Sequence, residues 1–293
     1  RALIGLTLVV VGVLVWPVSF GAGFAVAKAG IDVCFQASRS SLIRDGHPEQ
    51  AQRADAVRQV LGLVMGSAYL LVVDNPSLPF AAALYLIGCG LPILRGARAI
   101  AQHAPIRPEL TGRTAHILTE AVGGVAYVQA EVILLGLLGS PASAGYYSFG
   151  ATIVWSLASL GQSFGYTFHE KLRDSNGAVA SGPPLATAAW LSVATGVVVA
   201  AIAVGLRVVD AEEVLWVTFA WLAPVSFLRT LSSVSTVVLS MQHRDAFRMK
   251  VTAVSVVIKV GLVIALRHSG GPGAAMAFLV SDLVMSGSYT ASV

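Results

Sequence analysis

Residues 131–152 read EVILLGLLGSPASAGYYSFGAT, and this stretch decides the fold. Glu131 lies within one apolar run, a short uncharged turn follows at Ser140, and Tyr146 and Tyr147 begin a second apolar run. A small uncharged turn between apolar runs, with tyrosines at the positions of an interfacial aromatic belt, is typical of a helical hairpin in a membrane. We therefore predict two membrane helices here, with the Glu131 carboxyl group inside the span.

The rest of the 293-residue chain has the same apolar character. Hydrophobic residues make up 56% of it, charged residues 12%, and its mean hydropathy is +0.76. Because about a quarter of the residues in a soluble domain are charged, this composition excludes that class. Apolar runs of roughly 17–25 residues fit transmembrane helices, so the predicted fold class is an all-α polytopic protein of the inner (plasma) membrane.

Ten apolar segments qualify as membrane helices. They cover approximately residues 2–18, 21–38, 58–74, 79–95, 115–137, 144–167, 184–206, 213–240, 250–266 and 273–290.

The loops between these segments alternate in charge. Thirteen basic residues lie in one set of loops: Arg39, Arg44, Arg53, Arg58, Arg95, Arg98, Arg107, Arg113, Lys171, Arg173, Arg244, Arg248 and Lys250. The other set contains only Arg207 and Arg267. Since Lys and Arg concentrate in cytoplasmic loops, the first set is predicted to be cytoplasmic. Basic residues confined to loops between spans do not indicate nucleic-acid binding.

An internal repeat predicts two lobes. The sequence Asp55-Ala-Val-Arg58 precedes one apolar helix, and Asp245-Ala-Phe-Arg248 precedes another in the matching topological position, six helices later. This spacing predicts pseudo-repeated lobes, with residues 1–113 forming the remainder of an amino-terminal lobe of four helices and residues 114–293 forming a carboxy-terminal lobe of six. On this scheme two helices are missing from the front.

The hairpin resembles the one that opens the second half of the polysaccharide flippases, which export lipid-linked oligosaccharides and belong to the multidrug/oligosaccharidyl-lipid/polysaccharide exporter superfamily. Three further stretches resemble that family: SLIRDGH at 41–47, LSMQHRD at 239–245 and GGPGAAMA at 270–277. The resemblance implies two six-helix lobes around a central cavity and alternating access. It also implies a polyprenyl-pyrophosphate-linked oligosaccharide as substrate. The family's first hairpin, which lines the cavity, has no counterpart in the sequence.

Charged residues within the predicted spans are the candidate binding groups, because a charge at the bilayer centre costs several kcal/mol. Lys28, Arg229 and Lys259 are the predicted substrate-binding cations. Arg229 follows Pro224 by five residues, and its planar guanidinium matches pairs of phosphate oxygens. A structural alternative remains for each cation. Lys28 lies one helical turn from an acid and can be neutralised by it, and the other two can pair with acids across the bundle.

A second set of polar residues predicts ion coupling. His116, Glu120 and Glu131 return to nearly one face of the same helix, as a proton or cation path requires. Asp32 and Asp282 complete the set of polar cavity residues. The alternative for Glu131 is a position near the outer interface, where its carboxylate reaches water.

The leading function is therefore a membrane flippase for cell-surface polysaccharide biosynthesis. A cation-coupled multidrug antiporter of the same superfamily is the first alternative, favoured by the acidic stripe. An integral-membrane polyprenyl-lipid transferase is the second, but its paired loop acids are not found, since Asp45, Glu49 and Asp55 occur singly.

No nucleotide-binding, zinc-binding or hydrolase motif occurs in the sequence, so we predict no catalytic residues, metal or cofactor. The predicted partners are the lipid bilayer and the lipid-linked oligosaccharide, with a polysaccharide polymerase and glycosyltransferases as further candidates and no nucleic acid. Cys34 and Cys89 fall in different apolar runs and are predicted to be small buried hydrophobic residues.

Overall fold

The computed structural model describes residues 2–44, 46–101, 127–128 and 130–292, and within these residues the chain is helical apart from turns and short connections. The helices are α1 (Ala2–Val15), α2 (Phe20–Arg44), α3 (Pro48–Val72), α4 (Leu78–Ala101), α5 (Pro141–Tyr166), α6 (His169–Asp174), α7 (Leu185–Val208), α8 (Glu213–Met241), α9 (Asp245–Ala265) and α10 (Gly270–Ser292). Residues 127, 128 and 130–138 are also helical and are called the 127–138 segment below. Two 3₁₀ turns, Val179–Ser181 and Arg267–Ser269, lie between helices.

The predicted hairpin is present, formed by the 127–138 segment and α5. Ser140 adopts an extended conformation, and its side-chain oxygen accepts a hydrogen bond from the backbone N–H of Ser143 at 3.1 Å. Proline at the first position of α5 suits a helix start, since its missing N–H would have no partner there. Tyr147 is buried inside the fold, which differs from the interfacial position expected for it.

Two of the helices, α7 and α8, are long and apolar enough to cross a membrane. The pair α9 and α10, bent by 69° at the turn between them, makes a third if it counts as one broken span. The prediction of about ten spans is therefore not supported by the length and apolar content of the described helices. The reason is that several helices carry polar or charged residues within their length, as α2 does with Lys28 and Asp32, and that α1 is short.

The helix ends were predicted accurately for the two helices whose whole length matches a predicted apolar run. For α7 and α8 they agree within two residues. In contrast, α2 continues to Arg44 and α3 begins at Pro48, so both extend well past their apolar runs. The helical hydrogen bonds continue through turns of the helix that consist of polar residues, and the end of an apolar run therefore does not predict the end of the helix.

The chain divides into two compact units, Arg1–Arg107 and Pro108–Val293, called unit 1 and unit 2. In unit 1, α1 packs against α2 and α3 packs against α4. Cys34 and Cys89 are buried and carry no disulfide, so the prediction that they act as buried hydrophobic residues is confirmed.

Helix α8 is central to unit 2, where it contacts α5, α7 and α10. Small residues allow these helices to approach closely. At Gly161 of α5, a Cβ atom would lie 2.5 Å from the carbonyl oxygen of Thr230 in α8. On the other side, the hydroxyl groups of Thr195 in α7 and Thr230 lie 2.9 Å apart. These contacts fix α8, and with it Arg229, against its neighbours.

Candidate functional site

Two fully buried charged residues of unit 2, Lys259 and Glu131, form an ion pair. Both residues have 0% of their surface exposed. The Lys259 ammonium contacts Glu131 Oε1 and donates to the backbone carbonyl oxygen of Tyr127 at 2.8 Å. It also lies over the rings of Tyr127 and Phe278, 3.4 and 3.9 Å from their centroids. The Tyr147 hydroxyl donates to Glu131 Oε1 at 3.0 Å. Glu131 therefore does not reach water, which removes the interfacial alternative.

A second ion pair joins Arg229 of α8 to Asp282 of α10. Arg229 Nη1 lies 3.3 Å from Asp282 Oδ1, which is longer than a good charge-assisted hydrogen bond. The same Asp282 oxygen accepts a 2.6 Å hydrogen bond from the Tyr127 hydroxyl. The side chain of Arg229 is 16% exposed, whereas that of Asp282 is 1% exposed. The guanidinium lies over the Trp155 ring, 4.1 Å from its centroid.

Tyr127 connects the two ion pairs, because its hydroxyl binds Asp282 while its carbonyl and ring hold Lys259. We call Tyr127, Glu131, Arg229, Lys259 and Asp282 the charged cluster. It contains two positive and two negative side chains, so its formal charge is zero. One oxygen of each acid, Glu131 Oε2 and Asp282 Oδ2, is buried without a hydrogen-bond partner, as is Arg229 Nε.

The sequence reasoning missed Tyr127, although a signal for it exists. It precedes Glu131 by four residues, so that both lie on one face of a helix. Its contacts with Lys259 and Asp282, far along the chain, have no local sequence pattern.

Unit 1 contains a separate group of charges. Lys28 Nζ lies 2.6 and 2.7 Å from the two carboxylate oxygens of Asp32, as the spacing of four residues predicted. Arg58 of α3 pairs with Asp32 as well, and its other terminal nitrogen lies 2.8 Å from Asp55. The guanidinium of Arg58 also lies 4.4 Å from the centroid of the Phe35 ring.

Arg58 was grouped by sequence with the loop cations, but its side chain is only 8% exposed and binds two acids. The side chains of Lys28 and Asp32 are 25% and 41% exposed. Lys28 can therefore leave Asp32 without leaving that acid unpaired, because Arg58 remains.

The remaining predicted site residues are placed as follows. Glu131, Arg229, Lys259 and Asp282 come together in unit 2, and Lys28 and Asp32 lie in unit 1. His116 and Glu120 fall outside the described residues. In the part of the chain that the structure describes, no group of three or more His, Cys, Asp or Glu residues could hold a metal ion.

The connection between α5 and α7 contains a buried histidine, His169. His169 begins the short helix α6 and is 7% exposed, with its Nδ1 atom lacking a hydrogen-bond partner. Burial lowers the pKa of His169, and the nearby positive charge of Arg173 lowers it further.

The geometry restricts what the cations can bind. Lys259 is fully enclosed, whereas Arg229 and Lys28 are partly exposed and could contact a ligand if their acids released them.

Protein-family models, curated proteins and solved structures contain no match to this chain.

Proposed function

We propose that the protein is a multi-pass inner-membrane flippase that moves a polyprenyl-pyrophosphate-linked oligosaccharide across the bilayer by alternating access. One observation carries the proposal: α8, long and apolar enough to span a membrane, holds the partly exposed Arg229 near its middle. A charged residue at that depth is costly, so charged residues within membrane helices usually mark substrate or ion pathways. The sequence of the hairpin at residues 131–152 supports the sugar-lipid branch over other transporters.

Arg229 is the proposed pyrophosphate-binding residue of unit 2, since its planar guanidinium can hold two phosphate oxygens at once. Lys28 is the corresponding candidate in unit 1, where Asp32 keeps a second cation when Lys28 moves. Lys259 takes a different role from the one predicted by sequence. It neutralises Glu131 inside the fold, because no ligand can reach an ammonium with no exposed surface.

The finer architecture belongs to the same proposal. It comprises about ten spans in two pseudo-repeated lobes, with a cavity for the head group. Polar residues within spans are tolerated when they pair with each other, as Lys28 and Asp32 do, so a helix can cross a bilayer without being uniformly apolar.

A cation-coupled multidrug antiporter is the second candidate. The observation that favours it is the pair of buried acids, Glu131 and Asp282, each with one carboxylate oxygen that lacks a partner. Such an oxygen can accept the proton that couples transport to an ion gradient.

The test is polysaccharide export by cells that carry single variants. Arg229→Ala should abolish export, and Arg229→Lys should retain part of it, because lysine keeps the charge but loses the paired contacts. Lys250→Ala, at an exposed position of α9, is the control and should export normally. Full export by Arg229→Ala would refute the assignment. In reconstituted vesicles, uptake of a cationic dye without movement of lipid-linked sugar would favour the antiporter.

A further inference from the structure

The two ion pairs of the charged cluster differ in how firmly each cation is held. Lys259 is enclosed, with an acid, a carbonyl oxygen and two aromatic rings around its ammonium group. Arg229 also lies over two rings, those of Trp155 and Tyr127, but it has only one 3.3 Å contact with Asp282, a weak 3.0 Å contact with the sulfur of Met285 and an Nε atom without a partner. Since its side chain is 16% exposed and its contact with Asp282 is long, Arg229 is the cation that can exchange its acid for a ligand.

The obstacle to such an exchange is the acid that stays behind. Removing one partner from a buried ion pair is strongly unfavourable because the other charge remains uncompensated. Asp282 is 0% exposed with Arg229 in place, so its carboxylate has no contact with solvent in this arrangement. Its remaining donor is the Tyr127 hydroxyl at 2.6 Å, the shortest hydrogen bond that Asp282 makes.

We infer that Tyr127 is a positioning residue that holds Asp282 in place when Arg229 turns from this acid to the phosphates of an isoprenoid diphosphate. The inference rests on the proposed function and adds a residue that the function itself does not require. A hydrogen bond from a hydroxyl group to a carboxylate is strong because the acceptor is charged, and the low dielectric of the interior strengthens it further. Tyr127 thus lowers the free-energy cost of releasing Arg229.

Tyr127 is itself held rigidly. It is 1% exposed, and its ring packs edge-on against Phe278 with centroids 6.0 Å apart. Its backbone carbonyl accepts from Lys259, which is fixed in turn by Glu131. The ion pair of Lys259 and Glu131 therefore holds Tyr127 in place, and Tyr127 in turn holds Asp282. Lys259 thus has a function although it does not contact the substrate.

Trp155 provides a signal for the exchange, because the guanidinium of Arg229 lies 4.1 Å from its ring centroid. In the full chain, purified in detergent, the other four tryptophans would be replaced by phenylalanine so that Trp155 alone emits. Farnesyl pyrophosphate is the probe. Farnesol tests the isoprenoid chain without phosphate, and inorganic pyrophosphate tests the diphosphate without a lipid.

Farnesyl pyrophosphate should change the Trp155 emission and saturate, and inorganic pyrophosphate should compete with it. Farnesol should have no effect. Tyr127→Phe should weaken binding by about tenfold or more, the loss expected for one hydrogen bond to a charged group. Tyr289→Phe is the matched control, since it removes a buried hydroxyl whose contact is the neutral Thr252, and it should bind as the parent does.

A double-mutant cycle separates positioning from a general effect on folding. In an Asp282→Asn background no carboxylate needs to be held, so Tyr127→Phe should then change binding by less than about twofold. An equal loss in both backgrounds would overturn the inference.

Unchanged or tighter binding by Tyr127→Phe in the parent background would also overturn the inference, while the proposed function would stand if Arg229→Ala failed to bind. Equal binding by Arg229→Ala and the parent, or an equal response to farnesol, would overturn both.

Discussion

Replacing Lys259 by methionine tests whether the enclosed ion pair stabilises unit 2. The change removes the ammonium group but keeps a long apolar side chain, so Glu131 stays buried with only the Tyr147 hydroxyl at 3.0 Å. Removal of one partner from a buried pair costs about 3–5 kcal/mol. Since neither residue has exposed surface, the upper part of this range applies. For a domain of this size, we expect the melting temperature to fall by about 10 °C or more.

The assay is thermal unfolding of the purified full chain in detergent, followed by size-exclusion chromatography of the soluble fraction. Lys250→Met, which alters an exposed lysine of the same helix, is the control and should melt within about 2 °C of the parent. The double variant Glu131→Gln with Lys259→Met should recover most of the loss. It contains no uncompensated charge, and the glutamine oxygen still accepts from Tyr147. Equal melting of the two lysine variants, or no recovery in the double variant, would refute the reasoning.

Three further predictions use the same melting assay. Gly161→Ala should lower the melting temperature by several degrees, because its Cβ atom would meet the carbonyl oxygen of Thr230 at 2.5 Å, whereas Gly145→Ala on the same helix, with open space around it, should not. Arg58→Met should destabilise unit 1 by about 1–2 kcal/mol, since the largely buried Asp55 loses its cation whereas the 41% exposed Asp32 keeps Lys28. His169→Gln should remove part of the loss of stability on acidification. Burial lowers the pKa of His169 in the folded state, so below about pH 6.5 the unfolded state binds the proton first and stability falls.

Each of these has an outcome that contradicts it. Equal melting temperatures for the Gly161→Ala and Gly145→Ala variants would show that α5 and α8 are not in close contact. An unchanged melting temperature for the Arg58 variant would place its guanidinium in water. An identical pH profile for parent and His169 variant would mean that the imidazole is solvated.

Local pattern was sufficient to predict an all-helical chain and the hairpin, but not the ends of α2 and α3 or the number of membrane spans. Apolar runs and a capping serine before a proline act within a few residues of each other, so they can be identified from the sequence. The pair of Lys28 and Asp32 was predictable for the same reason, because it depends only on a spacing of one helical turn.

The charged cluster could not be assembled in this way. Its residues come from the 127–138 segment, α8, α9 and α10, and their pairing depends on how these helices pack. The sequence allowed Arg229 and Lys259 to bind either a ligand or an acid, and the structure pairs each with an acid. Tyr127 was missed because its spacing from Glu131 indicates only a shared helix face, while its partners Asp282 and Lys259 lie far along the chain.

The enclosed pair of Glu131 and Lys259 also constrains how this sequence can evolve. A mutation at either position alone leaves an unpaired charge in the interior. Selection against misfolded chains would remove such a mutation. Neutral replacements should therefore arise at both positions in the same lineage. Across related genes, position 131 and position 259 are expected to co-vary, whereas exposed lysines such as Lys250 should drift independently.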